Sequence, residues 1–292
     1  MVEPSYTAEA DGDTAPLDWY GTLTASTATA NPLTGQVTTT RAWEAGDELP
    51  AHDSRNIEFG RTTGSVTPTV AAFSETNLTA AGIDLEALCA GELAPGACAT
   101  YIGSLGVNLG QAVNYLRGDQ SLEGTRVRSR TRVLGDIINS TPVVTAGRVI
   151  TSTPTVVRTV DDYGYRALGG SYATSYAAYL ATKRSSGKQM VYVGANDGML
   201  HAFDGETGEE TYAYIPATAV GHLGNLLFPY DAARGANQNF QHRYYVDGPV
   251  TISDVFDGTS WRTVLVGTSG AGGRSVFALD VTCLLYPSPS PR

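Results

Sequence analysis

Two apolar runs separated by a three-residue turn constrain this chain more than any other feature. In MVYVGANDGMLHAFDGETGEETYAYIP, spanning Met190 to Pro216, the runs flank Asn196-Asp197-Gly198. That turn reverses two strands into a hairpin, because Asn, Asp and Gly tolerate its backbone angles. A second turn follows at Asp204–Gly208, where Asp204 can accept from nearby amides and Gly208 can take a positive φ, and a third strand is expected through Tyr212–Ile215. The middle strand places Leu200 and Ala202 on one face and Met199 and Phe203 on the other. A strand apolar on both faces must be covered twice, as when sheets stack face to face.

The chain then repeats itself. VLVG at Val264–Gly267 echoes VYVG at Val191–Gly194, and VFALD at Val276–Asp280 echoes LHAFD at Leu200–Asp204. Each hairpin follows a segment with an acidic residue and a Pro-Val pair, at Asp136–Val143 and at Asp247–Val250. A weaker third copy is read in Gly21–Ala25, Thr34-Gly35 and Trp43. The expected fold is all-β, an incomplete β-propeller with a short helical insertion.

Four segments are expected: N-terminal strands over residues 1–60, forming a first blade; a connecting region over 61–133; blades over 134–282; and a non-native tail over 283–292, where proline at every second position from Pro287 to Pro291 cannot continue a central strand. In the connecting region, Asn108–Arg117 is read as the one short helix, with Asn108 and Gln111 as a capping pair, Val113 and Leu116 facing inward and Gly118 ending it. Arg126, Arg128, Arg130 and Arg132 alternate, which would align four guanidinium groups on one face of a strand, solvated or paired with acids. The insertion at Thr151–Lys188 carries Tyr163, Tyr165, Tyr172, Tyr176 and Tyr179. Clustered tyrosines either form a contact surface or pack over the rim of the sheets. Cys89 and Cys98 either close a short disulfide or remain free thiols.

Composition narrows the function classes. A net charge of -10 argues against nucleic acid, whose phosphates require a cationic surface. No run of eighteen apolar residues offers a membrane span, and Met1–Ala10 lacks the pattern of a signal peptide. No catalytic, cofactor or metal residue is assigned. Ser269 has no histidine placed beside it by sequence logic, and His52, His201, His222 and His242 are scattered. Asp11, Asp13 and Asp18 do not complete a calcium loop, and GAGG at Gly270–Gly273 is read as a turn, since no lysine or helix follows it.

The hairpin VYVGANDGMLHAFDGETG resembles the repeats of quinoprotein-type propellers. With its neighbours, VNYLRGD at Val113–Asp119, LGDIINSTPV at Leu134–Val143, AYIP at Ala213–Pro216, YVDGP at Tyr245–Pro249 and VLVGTSGAGGRSVFALDVT at Val264–Thr282, the chain resembles the PilC/PilY family of type IV pilus tip adhesin and biogenesis proteins. The resemblance implies a truncated fragment of a large protein of the periplasm, outer-membrane surface or pilus tip. It implies no enzymatic activity, but pilus assembly, retraction control and surface adhesion, with minor pilins and host-surface receptors as partners. Calcium is implied for the full-length family in a segment absent here. Arg117-Gly118-Asp119 and the five tyrosines are the candidate partner-binding residues. The rival readings are a quinone-dependent dehydrogenase propeller and an outer-membrane assembly scaffold.

Overall fold

The structure is a computed structural model that describes residues 1–10, 17–61, 69–90, 94–145, 148–150, 156–158, 160–186, 188–230 and 239–285. An antiparallel N-terminal sheet is built from β1 (Val2–Ala10), β2 (Leu17–Ala30) and β3 (Val37–Glu44). After β4 (Ile57–Arg61) and β5 (Thr69–Ala72) come the helices α1 (Glu75–Ala80), α2 (Ala97–Ser104) and α3 (Leu109–Arg117). Next are β6 (Val143–Thr145), a ladder of β7 (Arg148–Ile150) with β8 (Val156–Arg158), and α4 (Gly170–Ser186). The strands β9 (Met190–Gly194), β10 (Leu200–Asp204) and β11 (Glu210–Ile215) then lead through α5 (Ala217–Val220) to a C-terminal sheet of β12 (Val250–Phe256), β13 (Trp261–Thr268) and β14 (Val276–Asp280).

Both expected hairpins are present. β9 and β10 pair from Gly194↔Leu200 to Met190↔Asp204, and Gly198 at the turn has φ +96. Asp204 accepts from the amides of Glu206 and Thr207, and Gly208 has φ +81 as the chain turns into β11. β13 and β14 repeat the arrangement from Val264↔Asp280 to Thr268↔Val276. The weak third copy, read in Gly21–Ala25, Thr34-Gly35 and Trp43, falls within the β2–β3 hairpin, with Ala25 opposite Trp43.

The double covering of the central sheet is visible in its core. Met190, Tyr192, Leu200, Ala202, Tyr212 and Tyr214 pack with Val250, Ile252, Leu265 and Leu279 of the C-terminal sheet. On the opposite face, Val191, Val193 and Phe203 pack with Leu23, Ala25 and Trp43 of the N-terminal sheet. Met199, Ala213 and Ile215 meet the helices through Ile102, Val113 and Leu116. Three sheets therefore stack face to face, about one side-chain layer apart. Two glycines allow close backbone approaches beside the sheets: a Cβ on Gly194 would lie 2.1 Å from the Val246 carbonyl oxygen, and one on Gly21 would lie 2.2 Å from that of Gly135. The described residues are mainly β with several short helices, and their sheets do not close into a ring.

Several expectations are corrected. The single short helix is α3, whose Asn108–Gln111 capping box and Gly118 terminus form as read, but α1, α2 and the turn at Ala87–Cys89 join it. Strand pairing also links the end of the N-terminal segment and the start of the connecting region to the central hairpin: β4 runs parallel to β11 and carries β5, giving the order β5-β4-β11-β10-β9-β6. This pairing joins residues about 155 positions apart, Ile57 with Ala213, which local periodicity cannot reveal. The arginine run is irregular loop, not strand; Arg128 pairs with Asp18, Arg130 with Glu123, and Arg132 with Glu44 and Asp47. The tyrosine insertion contains the seventeen-residue α4. Cys89 and Cys98 form a disulfide, packed where Gly224 leaves room for the sulfur atoms. Asp11, Asp13 and the proline-rich end from residue 286 lie outside the described residues.

Candidate interaction site

The five tyrosines come together over the C-terminal sheet. Tyr172, Tyr176, Tyr179 and Lys183 are spaced four, three and four apart, which aligns them along one helix face. Tyr176 is buried and donates to Asp254 Oδ2 at 2.9 Å, while the Tyr179 and Thr263 hydroxyls share a hydrogen bond of 2.7 Å. Lys183 Nζ reaches both Asp254 oxygens, at 2.6 and 2.8 Å, and sits 5.3 Å from the Tyr179 ring and 5.7 Å from the Tyr163 ring. Tyr165 stacks on Trp261 at 5.2 Å, and Tyr172 meets Phe256 edge-on at 5.4 Å. Burial pushes the Tyr176 phenol up and the Asp254 carboxylate adds to the shift; burial followed by Asp161 does the same to Tyr163. Both phenols therefore stay protonated donors at neutral pH.

The cluster thus divides by role. Tyr165, Tyr176 and Tyr179 seat the insertion on the sheet. Tyr172 is 48% exposed and Tyr163 37%, and with Leu168 at 64% they give the insertion an apolar outer surface.

At Arg117-Gly118-Asp119, Gly118 has φ +117 and ends α3. The Arg117 guanidinium turns into the protein and donates to the carbonyls of His52, Phe73 and Arg55, at 2.9, 3.0 and 2.6 Å. The Asp119 carboxylate accepts from the Ser121 amide and hydroxyl, each at 2.9 Å, and these bonds hold it below the usual carboxylate range. The tripeptide thus bonds to segments flanking β4 and β5, whereas the tyrosine cluster packs on the C-terminal sheet.

Sequence reasoning missed a buried charge quartet behind the central hairpin. Arg55 donates to both Glu210 oxygens at 2.6 and 2.7 Å. His201 Nδ1 lies 2.7 Å from Glu210 Oε1, and its Nε2 lies 3.1 Å from both oxygens of Asp197. Burial opposes a charge on His201, but Asp197 and Glu210 outweigh it and raise the imidazole to about 9. Burial alone would raise Glu210, yet Arg55 and His201 hold it at about 2. With a carboxylate facing each ring nitrogen, the imidazolium is the species that satisfies both. Two cations and two anions balance, so the quartet ties the turn, β10, β11 and the approach to β4 together. The available signal was polar His201 at an inward position of an otherwise apolar strand.

Among the described residues, no three His, Cys, Asp or Glu side chains converge as a metal site. No described helix is long and apolar enough to cross a membrane.

The stacked hairpin sheets and their long insertions define an architecture that comparison with known proteins assigns. Residues 134–291 match the family described as the PilY1 beta-propeller domain. The chain belongs to this family. A type IV pilus biogenesis factor PilY1 homolog of Xylella fastidiosa is 36% identical over 96% of this chain and 18% of its own length. The type IV pilus biogenesis factor PilY1 of Pseudomonas aeruginosa strain UCBPP-PA14 is 42% identical over 59% of this chain and 13% of its own. The crystal structure of the Pseudomonas aeruginosa PilY1 C-terminal domain aligns with 37% of this chain and 18% of that chain, at 37% identity and a TM-score of 0.27. The chain thus spans less than a fifth of the length of these curated relatives.

Proposed function

We propose that this chain acts in type IV pilus biogenesis as a non-enzymatic binding platform, an open segment of a quinoprotein-like propeller that contacts pilus components such as minor pilins. It works outside the inner membrane, at the cell surface or pilus tip, and contributes to pilus assembly, retraction control and adhesion. The observation that carries this reading is the rigid stack of sheets, with α4 clamped across the last of them and Tyr163, Leu168 and Tyr172 turned outward. Exposed aromatic side chains on a rigid support provide contact area at little entropic cost. Host-surface receptors are further candidate partners, and calcium is expected in the intact family members.

The experiment is a pull-down of minor pilins, coupled to a count of surface pili. Replacing Tyr163 and Tyr172 with serine is expected to weaken capture and lower pilus number while the far-ultraviolet spectrum is unchanged. Unchanged capture by a folded variant overturns the role of the insertion. Quinone-dependent dye reduction with added calcium would support the dehydrogenase rival, and capture of outer-membrane assembly components in place of pilins would support the scaffold rival.

A further inference from the structure

The β2–β3 hairpin outruns the core that supports it. β1 follows β2 only as far as Val2↔Ala25, and the Met1 ammonium closes that ladder by donating to the Ser26 carbonyl at 2.9 Å. Beyond this point the N-terminal sheet narrows to β2 and β3 alone, and residues 27–42 are exposed on both faces. The tip of the arm is still well defined: Asn31 Oδ1 accepts from the Leu33 and Thr34 amides at 2.9 and 3.3 Å, and Gly35 takes φ +70. A bare two-stranded ribbon is marginal in water, so the arm gains stability by acquiring a further strand.

The two outer edges of this sheet differ. The edge strand β1 carries Glu3 and Pro4, a charge and a proline of the kind with which sheet edges resist pairing. On β3, Val37, Thr38, Thr39 and Thr40 are β-branched and uncharged, and Arg41 is paired with Asp47. No described strand pairs with the outer edge of β3. The register shows which backbone groups that edge presents. The Asn31 amide donates to the Gln36 carbonyl at 2.8 Å, which marks a bonded pair, and bonded pairs alternate along an antiparallel ladder. Thr38 and Thr40 therefore bond inward to β2, while Val37, Thr39 and Arg41 turn their N–H and C=O groups outward.

Charge and symmetry select the occupant. A net charge of -10 makes two copies of the chain repel each other over most of their surface. Residues 19–40 contain no charged side chain, so at the arm two copies meet without that cost. The edge is also self-complementary. About a two-fold axis at Thr39, antiparallel strands set Thr39 opposite its own copy and Val37 opposite Arg41, with roughly six backbone hydrogen bonds formed and Thr38 facing Thr40. The two Arg41 side chains then stand at opposite ends of the ladder. We propose that a second copy of this chain docks on the outer edge of β3, joining two N-terminal sheets into one continuous sheet. The ladder is short and falls below the area of a permanent dimer, so the dissociation constant is on the order of 0.1 mM and the arm is free in dilute solution. The edge belongs to a different sheet from the one that seats the tyrosine insertion, so this pairing and the pilin-binding reading can each fail alone.

The test is sedimentation velocity of the full chain from about 10 µM to about 1 mM, with monomer expected at the low end and mostly dimer at the high end. Thr39→Pro removes an outward amide from each copy and leaves the inward bonds to β2, so it is expected to weaken the dimer by about tenfold or more with an unchanged far-ultraviolet spectrum. In a Cys283→Ser background, Thr39→Cys sets two thiols opposite each other with Cα atoms about 5.5 Å apart, within reach of a disulfide. Mild oxidation at the high end of the series is expected to cross-link this variant into a dimer and to leave Glu3→Cys, on the guarded edge, monomeric. A monomer at every concentration, unchanged association of folded Thr39→Pro, or equal cross-linking of the two cysteine variants would each overturn the proposal. The concentration series on the unaltered chain and the cross-linking contrast decide the matter even where the proline variant fails to fold.

Discussion

The central and C-terminal sheets share a hairpin plan, yet each buries charge differently. In the central sheet, Arg55, Glu210, His201 and Asp197 form a linked quartet, three of its members from the segment Asp197–Glu210 and the fourth, Arg55, from far earlier in the chain. In the C-terminal sheet, Asp254 on β12 holds one cation, Lys183, and takes two further bonds from Tyr176 and Thr263. The first arrangement locks a sheet that is covered on both faces. The second fastens a helix onto a sheet whose other face carries the exposed Val255, Val266 and Val276. The lesson is that similar buried ion pairs can serve global folding in one place and attachment of a single element in another.

The largest expected effect comes from breaking the quartet. Glu210→Ala leaves Arg55 and His201 buried beside only one carboxylate and is expected to cost about 3–5 kcal/mol, measured by urea unfolding. A loss below about 1 kcal/mol would show that the quartet is not a global lock. Lys183→Met should cost less, about 2 kcal/mol, because Asp254 keeps two hydroxyl donors. Its signature should be local: limited proteolysis would cut the segment around α4 before the sheets unfold. Simultaneous cleavage throughout the chain would erase the contrast between the two clusters.

Acidity sharpens the comparison further. The share of stability from His201 is complete below its ordinary 6.5 and is lost as pH rises through about 9. That from Glu210 is complete above its ordinary 4.5 and is lost as pH falls through about 2. The urea midpoint should therefore be highest between pH 4.5 and 6.5 and decline toward 9, and His201→Gln should flatten the alkaline decline. An alkaline limb identical in that variant would assign the decline to other groups.

The smallest effect is expected at Tyr192. Its hydroxyl is buried with no hydrogen-bond partner among the described residues, so Tyr192→Phe removes an unsatisfied group while keeping the ring. It should be neutral or stabilising by up to about 1 kcal/mol in thermal melts. A clear loss of stability would mean that the hydroxyl is satisfied after all.

Much of this contrast was hidden in the sequence, for physical reasons. The hairpins were legible because strand alternation and the Asn196-Asp197-Gly198 turn are local signals, and α3 was legible through its two caps. α4 was missed because its exposed face is mostly alanine, serine and threonine, leaving no continuous apolar stripe; the spacing of Tyr172, Tyr176, Tyr179 and Lys183 was the clue. The β4–β11 pairing and the Arg55–Glu210 pair join residues about 155 apart, beyond the reach of any window along the chain. The tyrosine cluster was visible as composition, whereas its division between anchoring and exposed members depends on which side of α4 faces the sheet.

Hydrogen exchange, resolved by peptide and followed by mass spectrometry, tests most directly whether the central sheet lies sandwiched between the other two. Amides of Val191–Val193 and His201–Phe203 should exchange slowest, opening only with global unfolding, while Thr38–Arg41 on the exposed part of β3 should exchange quickly. Exchange of β9 and β10 as fast as that of β3 would contradict the stacked arrangement.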